Sequence, residues 1–190
     1  MKGKIIFAAA VIIALYAIYY RGYYMPPFFS NEPASYENLC QEIIKQLNKI
    51  RVENGLAPFT ENPLLTKAAM LHSQDMAAHR LLSHRGSDGS MLEDRLARVG
   101  YSYYIAAENI IEMPTPALSG FVFIWFIPLP IPNPPKNATE LAQEMVKAWM
   151  NSPGHRANIL NPQLTEIGVG AAASNASTIY ATTDFGGRYW

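Results

Sequence analysis

Four histidines, His72, His79, His84 and His155, are the side chains of this 190-residue chain best suited to chemistry near neutral pH. Two of them stand in turn-rich runs. His84 lies in Leu81-Leu-Ser-His-Arg-Gly-Ser-Asp-Gly89, and His155 in Trp149-Met-Asn-Ser-Pro-Gly-His-Arg-Ala-Asn-Ile-Leu160. A lone acid, Glu108, interrupts the apolar run Ala106-Ala-Glu-Asn-Ile110. A carboxylate there must be paired or hydrogen-bonded, because an unpaired buried charge is expensive or is neutralised. Two neutral imidazoles can hold zinc weakly, and a glutamate behind them can orient one ring. A catalytic zinc normally has three protein ligands and a water, so this set is one ligand short unless Glu108 joins it. Metal-free hydrolysis lacks a nucleophile, since neither Ser83 nor Ser152 stands in a recognisable activated arrangement. The competing reading is structural: the three residues form a hydrogen-bonded network that ties loops to a sheet. His72, Asp75 and His79 have the spacing to share a helix face, but the pattern is met more simply with His72 in the core and His79 in solvent.

Composition removes other classes of function. Lys and Arg total 15 and Asp and Glu also total 15, so no basic face for nucleic acid is expected. One cysteine, Cys40, excludes an intramolecular disulfide framework and a multi-cysteine metal site, and its apolar helical setting marks a small core residue. There is no Gly-rich phosphate loop, no Gly-x-Ser-x-Gly elbow and no His-Glu-x-x-His helix.

Two uncharged segments account for a hydrophobic fraction of 49% with only 16% charged residues. The first, 5–20, follows Lys2 and Lys4 and leads into Tyr19, Tyr20, Tyr23 and Tyr24. Sixteen helical residues span about 24 Å against a hydrocarbon core of about 30 Å, and the flanking Arg21 can snorkel. The segment 1–24 is therefore expected to be a transmembrane anchor with a cytoplasmic N-terminus and an extracytoplasmic remainder. The rival, a cleaved signal peptide, would need small residues where these tyrosines stand. The second segment, 113–135, carries no charge and holds seven of the chain's fourteen prolines. Its prolines forbid a long helix or a central strand. Either its aromatics fold back onto the core, or it projects to meet a lipid bilayer or a membrane-protein partner through Phe121, Phe123, Trp125, Phe126 and Ile127.

The rest must position the candidate site. Residues 25–35 read as a linker and 36–190 as one domain, with an apolar, Pro-rich insertion at 113–137. Helices are expected over 36–53, with Leu39, Ile43, Leu47 and Ile50 on one face, and over 63–80 after the Asn62-Pro63 start. A Ser90–Glu93 capping box opens a third helix ending near Gly100, and Asn137 opens a fourth reaching Met150. Strands are expected over 105–111, 166–173 and 177–185, the last two as an antiparallel hairpin. Helices bracketing a small antiparallel sheet make this an α+β protein.

The ordered motifs Ser83-His-Arg-Gly-Ser-Asp-Gly89, Glu108-Asn-Ile110, Trp149 to Leu160 and Ile167-Gly-Val-Gly170 resemble the bacterial branch of the CAP superfamily, with its cysteine-rich secretory, antigen 5 and pathogenesis-related 1 proteins. Asn54-Gly-Leu56 and His72-Ser-Gln-Asp-Met76 add to the resemblance, which spans about 39–185. It implies an α–β–α sandwich, also called an SCP-like domain. It further implies a cleft built from His84, Glu108 and His155, with His84 and His155 as the ligands of a divalent metal in several members. Where the family has a second glutamate, this chain has Ser152. The expectation is a binding module that requires no cofactor, with weakly bound zinc as an addition. A lipid or sterol carrier holding an apolar ligand, or a metal-dependent hydrolase acting on cell-envelope material, are the alternatives.

Overall fold

The computed structural model describes residues 34–114, 121–124, 127–130, 137–174 and 178–188. Helix α1 (Ala34–Glu53) ends at Asn54-Gly55, where Gly55 takes a φ of +73°. Leu39, Ile43 and Leu47 are fully buried along it, but the next core position is Arg51, not the half-buried Ile50. A two-residue strand, β1 (Thr60–Glu61), leads to helix α2 (Pro63–His79). Asn62 caps it: its Oδ1 accepts from the backbone N–H groups of Leu64 at 2.9 Å and Leu65 at 3.4 Å, while Pro63 fills the position that needs no donor. Helix α3 (Leu92–Val99) starts one residue later than the Ser90–Glu93 box predicts. Met91 is its N-cap residue, and the Met91 N–H donates to Asp94 Oδ2 at 2.9 Å.

Strand β2 (Ile105–Pro114) runs three residues beyond the expected Ile111. Strands β3 (Phe121–Ile124) and β4 (Ile127–Pro130) form a separate two-stranded antiparallel ribbon within the Pro-rich insertion. Helix α4 (Ala138–Asn151) begins where Asn137 Oδ1 accepts from the Glu140 N–H at 2.9 Å. It is followed by a helix the sequence did not announce, α5 (Pro153–Ile159), with Pro153 in its first turn. Strands β5 (Glu166–Ser174) and β6 (Thr178–Gly187) complete the main sheet. The expected anchor at 1–24 and the linker to residue 33 lie outside the described residues. Among the described residues no helix is long and apolar enough to cross a membrane.

The sheet order is β1-β5-β6-β2. The three long strands are antiparallel neighbours, but β1 pairs parallel to β5 through Thr60↔Glu166. The sheet is therefore mixed and not wholly antiparallel, because β1 reaches β5 only through a crossover that contains α2. Strand alternation and register place Gly168, Gly170, Thr182, Asp184 and Glu108 on one face. Helix α2 lies on that face, and Ser73 Oγ stands 2.9 Å from both Gly170 O and Thr182 Oγ1. The opposite face buries Ile167, Val169 and Phe185. Phe59 packs on Phe185 there with ring centroids 5.1 Å apart, and Trp149 Nε1 of α4 donates to Ile110 O at 3.1 Å. Helices thus cover both faces of a small sheet.

The glycines of β5 set the closeness of that packing. A Cβ at Gly168 would fall on the backbone of Leu65 and Thr66, and one at Gly170 on the backbone of Ala69 and Met70. Backbone cannot rotate out of the way as a side chain can. Gly170→Ala is therefore expected to destabilise the domain by about 3 kcal/mol, read from urea denaturation. A loss below about 1 kcal/mol would show that α2 can lift off the sheet at little cost.

Candidate functional site

Strand β2 is the edge of the sheet, and the candidate site is built around it. Glu108 points to the α2 face and is buried. Its Oε2 accepts from Arg95 Nη2 of α3 at 2.5 Å, and its Oε1 from His84 Nδ1 at 2.7 Å. Arg95 also donates from Nη1 to His84 O and Ser90 O, both at 3.1 Å, so one guanidinium fastens the 84–90 loop to Glu108. His72, buried on α2, places Nε2 at 2.9 Å from Ser83 O and 3.8 Å from Glu108 Oε2. The core position expected for His72 is thus the observed one. His79 has a half-exposed ring that meets Asp75 Oδ1 at 3.1 Å.

His155 comes from the other layer. Asn109, the next residue of β2, faces the opposite side of the sheet and donates from Nδ2 to His155 O at 3.1 Å. Asn158 Nδ2 in turn donates to Asn109 Oδ1 at 2.9 Å, which fixes α5 to the strand. The rings of His84 and His155 meet beyond the edge of β2, with centroids 6.5 Å apart and planes at 45°. The structure therefore brings together all three residues that the sequence nominated. Ser152, at the junction of α4 and α5, adds no carboxylate.

The charges of the site follow from burial and pairing. Burial alone would raise the Glu108 carboxyl, but the hydrogen bond from His84 and the Arg95 guanidinium outweigh it and hold its pKa below the usual range. An ionised Glu108 accepts from His84 Nδ1–H, so in the neutral ring the lone pair is on Nε2. Burial lowers the pKa of His155, with a further push from nearby His84, and burial likewise lowers that of His72. Both trends favour neutral imidazoles.

Two zinc-bound imidazoles in tetrahedral geometry have centroids about 5.2 Å apart, since each centroid lies about 3.2 Å from the metal. At 6.5 Å the present pair is wider than that. Among the described residues no group of three His, Cys, Asp or Glu side chains is arranged to hold a metal ion. The two rings as they stand are therefore too far apart to share a tetrahedral zinc. Glu108 accepts from Arg95 on one oxygen and from His84 on the other, so its place is behind His84 as an orienting group.

Of the apolar residues expected to meet a partner, Phe121 and Phe123 fall in β3 and Ile127 in β4, while Trp125 and Phe126 lie outside the described residues. Sequence reasoning missed two members of the Glu108 cluster. Arg95 sits between Leu92 and Leu96 on an amphipathic helix, where a long basic side chain ordinarily snorkels to solvent. Asp184 follows Thr182-Thr183 in β6, so its run did not read as apolar, and it pairs directly opposite Glu108.

Fold and site together define a small SCP-like domain, with helices on both faces of a short sheet and two histidines meeting across its edge over a buried glutamate. A sequence model of the cysteine-rich secretory protein family, CAP, matches residues 44–185, and the chain belongs to that family, in its bacterial branch. The protein YkwD of Bacillus subtilis (strain 168) is 32% identical over 147 residues, which cover 77% of this chain and 48% of that protein. The chain thus spans about half the length of that relative. An extracellular protein containing an SCP domain from Bacillus anthracis superposes with a TM-score of 0.58 at 26% identity, over 80% of this chain and 41% of the other. An outer surface protein of Borrelia burgdorferi shares the fold, with a TM-score of 0.59 at 17% identity over 81% of this chain and 96% of its own.

Proposed function

We propose that this chain is a non-catalytic, extracytoplasmic CAP module that works by binding. Its N-terminal apolar segment holds it at a membrane as a single-pass protein, and its insertion docks it to a membrane-protein complex or to the bilayer. The observation that carries this reading is the ribbon β3–β4. All eight of its residues are Phe, Val, Ile, Leu or Pro, so it has no polar side chain to offer water. Only two residues separate its strands, so 124/127 and 122/129 are the hydrogen-bonded pairs. Pro128 and Pro130 then occupy the positions whose N–H would point outward. The outer edge of β4 has no donor for a further strand, which argues for contact through apolar side chains and against strand addition.

The cleft supports the same reading from the other side. Glu108 is committed to Arg95 and His84, and no activated nucleophile stands near it among the described residues.

The test is replacement of 117–135 by a short Gly-Ser linker in the full-length chain. The expected product has an unchanged thermal midpoint and no longer co-purifies from membranes with the assembly that wild type brings down. Undiminished association of the folded variant would overturn docking through the insertion. Solubilisation of a labelled lipid by wild type, lost in the variant, would replace docking with an apolar-ligand carrier.

A further inference from the structure

We infer that Asp184 carries a fixed proton and donates its O–H to Glu108, acting as a positioning residue behind the His84–His155 cleft. Asp184 stands directly opposite Glu108 in the β2–β6 ladder. Residues paired in this way have Cβ atoms about 5 Å apart on the same face of the sheet. That face is fully covered at this point. Asp184 is 0% exposed, its partner on β5 is Gly168, and the backbone of α2 occupies the space where a Gly168 side chain would stand.

Among the described residues, neither Asp184 oxygen meets a donor. The polar group that faces it is Glu108, which is itself an acceptor. Two buried carboxylates placed acceptor to acceptor repel, and one proton between them turns the repulsion into a hydrogen bond. Charge balance agrees. The ionisable groups around the pair are Arg95 from α3, His72 from α2 and His84 from the loop, while β5 contributes only a glycine. Arg95 and Glu108 already cancel. A second carboxylate would leave a buried negative charge that a neutral His72 does not offset. Burial first, and the Glu108 charge second, push the Asp184 pKa well above the usual carboxyl range.

With this O–H in place Glu108 has three donors, from Arg95, His84 and Asp184. They leave it one orientation, in which it accepts from His84 Nδ1–H. Nothing in this arrangement depends on the ribbon or its partner.

The experiment is unfolding of the full-length chain in mild detergent, comparing wild type with Asp184→Asn between pH 5 and pH 7. A proton that stays on Asp184 in the folded chain is lost on unfolding, where the carboxyl titrates at about 3.9, so unfolding releases it in this window. The wild-type unfolding constant should therefore rise tenfold per pH unit relative to Asp184→Asn, about 1.4 kcal/mol per unit. A ratio independent of pH would overturn the proton assignment.

Ring ¹⁵N spectra of His84 test the positioning role. Asp184→Asn, whose amide can donate, should keep the Nδ1–H tautomer, and Asp184→Val should lose the single-tautomer signal. A wild-type His84 spectrum in Asp184→Val would overturn that role. Should Asp184→Val not fold, infrared spectra decide. A protonated-carboxyl stretch at pH 7 that vanishes in Asp184→Asn supports the inference, and its absence from wild type overturns it.

Discussion

Replacing Arg51 by methionine is expected to lower the stability of the domain by about 4 kcal/mol, a shift of the urea midpoint of about 2 M. Arg51 is 1% exposed, and its guanidinium collects backbone carbonyls in place of an acidic partner. Nε donates to Ala57 O at 2.7 Å, Nη1 to Ile159 O at 2.9 Å and Asn161 O at 3.0 Å, and Nη2 to Leu164 O at 3.1 Å. The plane also lies 3.9 Å over the Phe59 ring. One side chain thus ties α1, the 57–59 segment, the end of α5 and the approach to β5. Methionine restores most of the volume but no donor. Asn161 O keeps a bond from the Leu164 N–H, while the other three carbonyls lose the donor described above. Stranding buried carbonyls costs about 1–3 kcal/mol each before water relieves part of it. Arg51→Lys should recover less than half, because one ammonium cannot span four acceptors in a fork. Equal stability of wild type and Arg51→Met would mean that water replaces the guanidinium without loss.

Arg51 also shows where sequence reading stops. Leu39, Ile43 and Leu47 announce a buried stripe, and the four-residue step points to position 51, yet an arginine there reads as the solvated end of a helix. Three of its four partners are backbone carbonyls more than 100 residues away, and backbone carbonyls leave no mark in composition. Local signals fared better. Asn62-Pro63 and Asn137 start helices because their chemistry is complete within three residues. Helix α5 was missed because Ser152-Pro-Gly154 has the composition of a turn, although proline equally suits a first helical turn. The need for a partner at Glu108 was legible from burial alone, and His84 and His155 from the family resemblance. That the partner would be Arg95, and that a second acid would face the first, depended on how β2, β6 and α3 come together in space.

Glu108→Ala is the other change expected to have a large effect, about 4 kcal/mol at pH 7. It removes the carboxylate from Arg95, which is only 7% exposed, and leaves a guanidinium held by two carbonyls with its charge uncompensated. Breaking a buried pair on one side is costly because the remaining charge stays desolvated. The pH dependence has a definite sign. The pKa of Glu108 is lower folded than unfolded, so its stabilisation is complete above the unfolded value of about 4.3 and is lost as pH falls through the folded value. Wild type and Glu108→Ala should therefore differ most at neutral pH and converge in acid, measured as urea midpoints from pH 7 to pH 2.5. Asp184 complicates the single variant, since with Glu108 gone it can release its proton and pair with Arg95 itself. The comparison is best made in the Asp184→Asn background, where that rescue is absent. Glu108→Ala should cost more there than in wild type, and the excess measures what the second acid can supply. A gap between the two proteins that persists undiminished at pH 2.5 would mean that Glu108 acts through packing and not through its charge.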